Sequence, residues 1–354
     1  MLSLECIAQP HIDPFWSVAT DRYLMGVLAA QPSAATGFLR VHSAPGDSLS
    51  LGRYHLAPDP PAPGTIPLWR RETGGRVLPG GDGFVWVSLL LPHRSALVAA
   101  APLALRPEQV LNRCVRGVLE ACRRYGAAVI YPGRDVVTIN RRIVAAVSFT
   151  TDARGALLFE ACLAVGRDFS VMPAWLDAVD PRGTVKGEVL TPDRVTCLTA
   201  ETGHPLSFAA VVDMLRDGYG RSCGVEIRTR ALDAEDREAI GTIAARDAAP
   251  ARWLGVRQRR PELNRHVVRW AQLGVLEAYL ALGEGPVIRD ILFAGDFIAN
   301  PAAIEHLECA LRSCPVERRA IASVVERVFS QPENYLLGIG ALETIAEMIV
   351  RGLE

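Results

Sequence analysis

The sequence predicts an α/β (α+β) protein: a larger N-terminal domain on a mixed or antiparallel sheet, then a smaller α+β domain. Three observations predict it. Residues 84–91 (FVWVSLLL) form an unbroken apolar run of strand length, as expected for a strand covered on both faces. The segments 127–131, 133–140, 141–148 and 156–165 are short, β-rich and separated only by turns, which makes them antiparallel neighbours. Composition shifts near Asp233, and the chain of 354 residues is long enough for about two domains. The expected division is 1–232, a helix and linker over 233–263, and 264–354.

Each element has a local reason. Residues 14–31 carry apolar side chains at helical spacing. Residues 37–41 and 49–52 read as strands, and 59–64 (DPPAPG) as a proline-rich loop. Residues 107–125 make a helix, with Pro107 at its start, Glu108 in its first turn and Gly126 at its end. Its apolar face is Val110, Leu111, Cys114, Val118 and Cys122. Residues 206–219 form a further helix, 225–227 a short strand and 232–246 a polar helix. A basic stretch, 253–261, precedes the second unit. There, 274–281 and 287–293 read as paired strands, and 301–312, 316–329 and 339–353 as helices.

One stretch, 69–88, organises the rest. Two arginines, Arg70 and Arg71, lead into Gly74-Gly75 and then Gly80-Gly81, ahead of the apolar strand. Glycines let backbone N–H groups approach a ligand closely, and arginines add forked donors for carboxylate or phosphate. The chemistry implied is anion capture over an apolar floor. The plain alternative is a glycine-rich hairpin with solvated arginines.

Composition excludes several classes. The net charge of -1 offers no basic field for nucleic acid. No apolar run reaches the roughly 18 residues of a membrane span. No basic-then-apolar leader is visible, which predicts a cytoplasmic protein. The eight cysteines form no CxxC pair and the seven histidines show no metal spacing, so no metal site is expected. All but one of the 38 basic residues are arginine. The exception, Lys186, is either kept for chemistry or left by drift.

In order along the chain, Ser50-Leu-Gly52-Arg53, Arg70-Arg71-Glu-Thr73-Gly74-Gly75, Gly133-Arg-Asp135, Asn140-Arg141-Arg142-Ile143, Lys186-Gly187, Arg194-Val195 and Gly295-Asp296-Phe297 resemble motifs of the lipoate–protein ligase A family. That family belongs to the biotin/lipoate ligase and octanoyltransferase superfamily. The resemblance implies a class II synthetase-like biotin/lipoate ligase domain with a small C-terminal accessory domain. It implies activation of lipoate or octanoate as acyl-AMP, with ATP and Mg²⁺, and transfer to a lysine of a lipoyl carrier-domain protein. By resemblance, Arg53, Arg70, Arg71, Thr73, Gly74, Gly75, Arg76 and Asp135 bind substrate or nucleotide. Arg142, Lys186 and Cys162 are the catalytic candidates, and the apolar strands bury the acyl tail.

The sequence also departs from the family. Its active lysine falls on Arg142, its His-Asp on Gly80-Gly81, and its histidine-bearing strand on Phe159-Glu160-Ala161-Cys162. An arginine can neutralise developing negative charge, but as a planar fixed cation rather than a compact amine. Cys162 is either a nucleophile activated by a neighbouring cation or a buried apolar thiol. Glu160, on an apolar strand, needs a partner, and Arg142 or Arg76 is expected to supply it. Three readings stay open: an acyl ligase, a catalytically altered homologue that binds acyl group, nucleotide or carrier, and a cysteine-dependent octanoyltransferase.

Overall fold

The computed structural model describes residues 2–31, 35–58, 66–180, 190–247 and 249–353. The expected loop at 59–64 and Lys186 with Gly187 lie outside the described residues.

The strands in chain order are β1 (Ser3–Gln9), β2 (Thr36–His42), β3 (Ser48–Leu51), β4 (Leu68–Arg70), β5 (Leu78–Gly80), β6 (Phe84–Leu91), β7 (Val129–Ile130), β8 (Val136–Ile139), β9 (Arg142–Thr151), β10 (Leu157–Ala164), β11 (Glu226–Thr229), β12 (Arg265–Trp270), β13 (Val275–Leu282), β14 (Ile288–Gly295), β15 (Ile298–Ala299) and β16 (Leu336–Leu337). Eight of them form one sheet in the order β11-β1-β2-β6-β10-β9-β8-β7. β1 runs parallel to both β11 and β2, and the remaining pairs are antiparallel, so the sheet is mixed. β8 and β9 are joined by Asn140 and Arg141, both at positive φ (48° and 66°), the geometry of a tight two-residue hairpin.

Both faces of the sheet are covered. Val85, Val87, Leu89 and Leu91 of β6 pack into one core with the predicted apolar face Val110, Leu111, Cys114, Val118 and Cys122. The predicted helix is interrupted at Val115, giving Pro107–Cys114 and Arg116–Arg124. Phe84, Trp86 and Leu90 face the other way, into a core with Val18, Leu24 and Leu28 of helix Pro14–Ala30. That helix starts where Asp13 accepts hydrogen bonds from the backbone N–H groups of Phe15 and Trp16, with Pro14 at its first position. On this second face lies a small sheet, β4-β3-β5, which carries the glycine loop.

β12–β14 form an antiparallel sheet packed with helices Pro301–Ala310, Arg318–Phe329 and Glu343–Leu353. β12 is not legible in the sequence because it is largely exposed, with only Val267 buried, so its apolar alternation is faint. β1 also goes unread, since Cys6 and Ile7 are buried on opposite faces and mask the period of two. The C-terminal elements share cores with the rest of the chain: Tyr54 packs with β13 and β14, while Leu273, Ile298 and Tyr335 join the core around β9. Among the described residues, no helix is long and apolar enough to cross a membrane.

Candidate active site

The glycine loop is built around one side chain. Arg71 is buried, and its Nη2 donates to the carbonyls of Gly74 and Arg76, both at 2.6 Å. Its Nε donates to Thr73 Oγ1 at 3.1 Å and its Nη1 to the Ser50 carbonyl at 3.2 Å. The guanidinium thus closes the loop on itself by satisfying carbonyls that the tight turn leaves without ladder partners. Burial lowers its pKa to about 10.

Arg70 faces the other way. It donates to the carbonyls of Gly52 (3.1 Å), Arg53 (2.9 Å), His55 (2.7 Å) and Leu254 (2.8 Å), and the indole of Trp253 donates back to the Arg70 carbonyl at 2.7 Å. Burial brings this guanidinium down to about 9. Arg53 pairs with Glu72 at 2.6 Å, and Arg22 binds the same carboxylate while stacking 3.8 Å over the Trp253 ring.

Two glycines are needed for space. A Cβ on Gly52 would lie 2.2 Å from the Gly75 carbonyl oxygen, and one on Gly74 would lie 2.1 Å from the Phe297 carbonyl oxygen. Gly75 donates its N–H to that same Phe297 carbonyl at 2.9 Å. Tyr54 stacks on Phe297 with ring centroids 4.4 Å apart. His55 Nδ1 accepts from the Gly52 N–H at 3.0 Å, leaving Nε2–H to donate to Asp296 at 2.9 Å. The Gly295-Asp296-Phe297 segment therefore sits directly on the glycine loop. His55 and Asp296 are 241 residues apart, so no local pattern joins them.

Beneath the loop, Arg76 grips Asp135 in a two-pronged contact: Nε bonds Oδ2 and Nη2 bonds Oδ1 at 3.2 Å. Thr73 donates to Glu160 at 2.5 Å. Glu160 therefore finds Thr73 rather than the expected Arg142 or Arg76. Burial, reinforced by the Asp21 carboxylate and opposed by Arg71, raises the Glu160 pKa to about 7. Cys162 is fully buried two residues on, its Sγ 3.5 Å from the Pro79 carbonyl, and burial pushes its thiol well up. That environment disfavours a thiolate.

Arg142 stands elsewhere. It begins β9 opposite Ile139, whereas the Asp135 carbonyl accepts from the Val147 N–H at the other end of the hairpin. Five strand residues separate these positions, about 16 Å along β9. The Arg142 side chain is 41% exposed and bound to Glu201, which also accepts from Thr196 at 2.7 Å. The structure thus gathers Arg71, Thr73, Gly74, Gly75, Arg76 and Asp135, with Cys162 below them. Arg142 is separate from this group, and Arg53 and Arg70 line the loop's outer side. Four buried residues under the loop, Asp21, Arg40, Ser88 and Ser148, escaped sequence reading. Only Arg40, a charge inside an apolar strand, offered a local signal.

No curated protein sequence matches the chain. Among solved structures, it is similar to P. falciparum LipL1 in complex with lipoate (TM-score 0.69, 11% identity, covering 99% of this chain and 100% of that one). It is also similar to a bipartite lipoate protein ligase from Thermoplasma acidophilum, described with its E2 lipoyl domain (TM-score 0.58, 16% identity, 74% of this chain and 99% of that one). A lipoate-protein ligase A bound with ATP matches with a TM-score of 0.56 at 15% identity, over 72% of this chain and 99% of that one. These likenesses show the class II synthetase-like fold of lipoate ligases. The description "Lipoyl protein ligase A/B catalytic domain" matches residues 13–220, more than half of the sequence, and the chain belongs to that family.

Proposed function

We propose that this protein is a lipoate/octanoate–protein ligase-like enzyme, which activates an acyl group as acyl-AMP and passes it to a lysine of a lipoyl carrier domain. The observation that carries this reading is the preformed loop. Arg71 holds residues 73–76 in one shape, at glycines that tolerate no side chain, over the Asp135 end of the β8–β9 hairpin. Preorganised donors and charges of this kind need little rearrangement when negative charge develops. ATP would draw on Arg53 and Arg76 for its phosphates, and Mg²⁺ on Asp135. Their charge and donor type suit these groups, and binding would have to displace the pairs that now hold them: Glu72 takes Arg53, and Arg76 takes both oxygens of the buried Asp135.

A second reading, a homologue that binds acyl group, nucleotide or carrier without turnover, is favoured by one observation: Arg142 is engaged by Glu201 and lies away from the loop. The octanoyltransferase reading is the weakest, since burial works against a Cys162 nucleophile. ATP–pyrophosphate exchange with lipoate and octanoate, with mass spectrometry of a lipoyl-domain lysine, separates the readings. Exchange and a mass shift support the ligase. Binding of a non-hydrolysable acyl-AMP analogue without either supports the altered homologue.

A further inference from the structure

A cavity of about 620 Å³ lies between the N-terminal domain and the C-terminal elements. That volume is within the range of small-ligand pockets, roughly 300–1,000 Å³. Arg94, Leu103, Arg106 and Glu108 line it from the N-terminal side, and Phe329, Leu336 and Leu342 from the C-terminal side. None of the residues gathered at the glycine loop lines it. A second cavity of about 570 Å³, with Leu111, Leu273 and Ile298 in its wall, adjoins it and shares Glu108, Gln272, Leu337 and Gly338.

Arg94, just beyond β6, is the unusual member of that wall: it is only 6% exposed. Each other buried arginine among the described residues is matched. Asp21 meets Arg40, Asp135 meets Arg76 and Glu308 meets Arg257. Arg70 and Arg71 donate to backbone carbonyls on several sides. Arg94 forms no ion pair among the described residues. Its one hydrogen bond there runs from Nη2 to the Pro332 carbonyl at 2.9 Å, and its Nε is buried without an acceptor. Glu108 and Glu333 lie near enough to favour its charge without pairing with it, and burial lowers its pKa. A buried charge is costly unless something pairs with it. Arg106 lines the same cavity, is exposed and also forms no ion pair among the described residues. Glu108 is the one acid among the described lining residues.

We propose that this cavity binds a small organic anion, with its carboxylate or phosphate head on Arg94 and Arg106 and its apolar body against Leu103, Phe329, Leu336 and Leu342. The site is distinct from the glycine loop, and the inference does not depend on acyl transfer. Arginine suits either head, because its planar fork makes charge-assisted bonds to both.

The test is calorimetric titration of the full chain with phenyl phosphate, 3-phenylpropionate and the neutral 3-phenylpropanol. At least one of the two anions is expected to bind about tenfold or more tightly than the alcohol. Arg94→Met, which keeps an unbranched apolar stem and removes the charge, should weaken that anion about tenfold or more and leave the alcohol unchanged. It should not lower the thermal midpoint of the unliganded protein, because no buried carboxylate loses a partner. Arg106→Gln, at an exposed position, should weaken the anion about two- to fivefold, and it keeps the test open if Arg94→Met does not fold. Failure of both anions to bind, or affinities equal to that of the alcohol, overturns the inference. So does anion binding that survives both substitutions, which places the anion elsewhere. A lowered midpoint in Arg94→Met with unchanged anion affinity assigns Arg94 to holding the Pro332 carbonyl and also overturns it.

Discussion

Thr73 donates its hydroxyl to Glu160 across 2.5 Å, and this contact fastens the glycine loop to a central strand of the sheet. Loop and strand are 87 residues apart in sequence. The acceptor is a buried carboxylate whose ionisation is opposed by its surroundings, so the fastening responds to pH.

The Glu160 pKa rises from 4.5 to about 7 on folding. The folded state therefore binds more protons than the unfolded one between those values, and this contribution to stability falls as pH rises through the window. Below it both states are protonated, and the contribution is fully present and no longer changes with pH. Glu160→Gln should remove this fall, a difference on the order of 1–3 kcal/mol between about pH 5 and about pH 8. Denaturant unfolding of both proteins at the two pH values measures it. Identical pH slopes would contradict a raised Glu160 pKa.

Gly74→Ala forces a Cβ to within 2.1 Å of a backbone oxygen of the C-terminal segment. Backbone cannot swing aside like a flexible side chain, so a loss of roughly 2–4 kcal/mol is expected. Thermal unfolding reads this directly. Gly126→Ala, where nothing lies within 4 Å but φ is +87°, provides a comparison limited to backbone strain.

Arg76 and Asp135 are a buried, two-pronged pair. Removing one partner leaves the other's charge in a poorly solvated site, so Arg76→Met or Asp135→Asn alone should cost about 3–5 kcal/mol. The double variant should recover much of that loss. Additive losses in a double-mutant cycle would show that the two side chains act independently.

Arg142→Lys should change stability by less than about 1 kcal/mol, because the ion pair with Glu201 is partly solvated. If the lysine is what the acyl-activation chemistry lacks, the variant should raise ATP–pyrophosphate exchange about 10²-fold or more. No gain would assign the deficit to Gly80-Gly81 or to residues 159–162 instead.

Cys162 should resist iodoacetamide in the native protein, while the exposed Cys309 reacts. Peptide mass spectrometry after brief labelling decides the point. Rapid Cys162 modification, or an acyl adduct on it, would revive the octanoyltransferase reading.

The sequence by itself determined the elements whose cause is local. The eight-residue apolar run became β6, the Pro107 start and apolar stripe became the helix pair, and the β-rich segments became the β8–β9–β10 meander. It also carried the family, because ordered short motifs survive where overall identity is low. The site was only partly legible. Arg71, Thr73, Arg76 and Asp135 lie together, in keeping with their motif order, but sequence could not say that Arg71 would turn inward to bind Gly74 and Arg76, or that Arg142 would pair with Glu201. The row Arg40–Ser88–Glu160–Ser148 comes from four strands, and the contact of Gly75 with Phe297 joins residues more than two hundred positions apart. Local periodicity reports which side chains are buried, whereas the partner of each buried charge is set by strand register and by the docking of distant segments. Only the tertiary structure decides these.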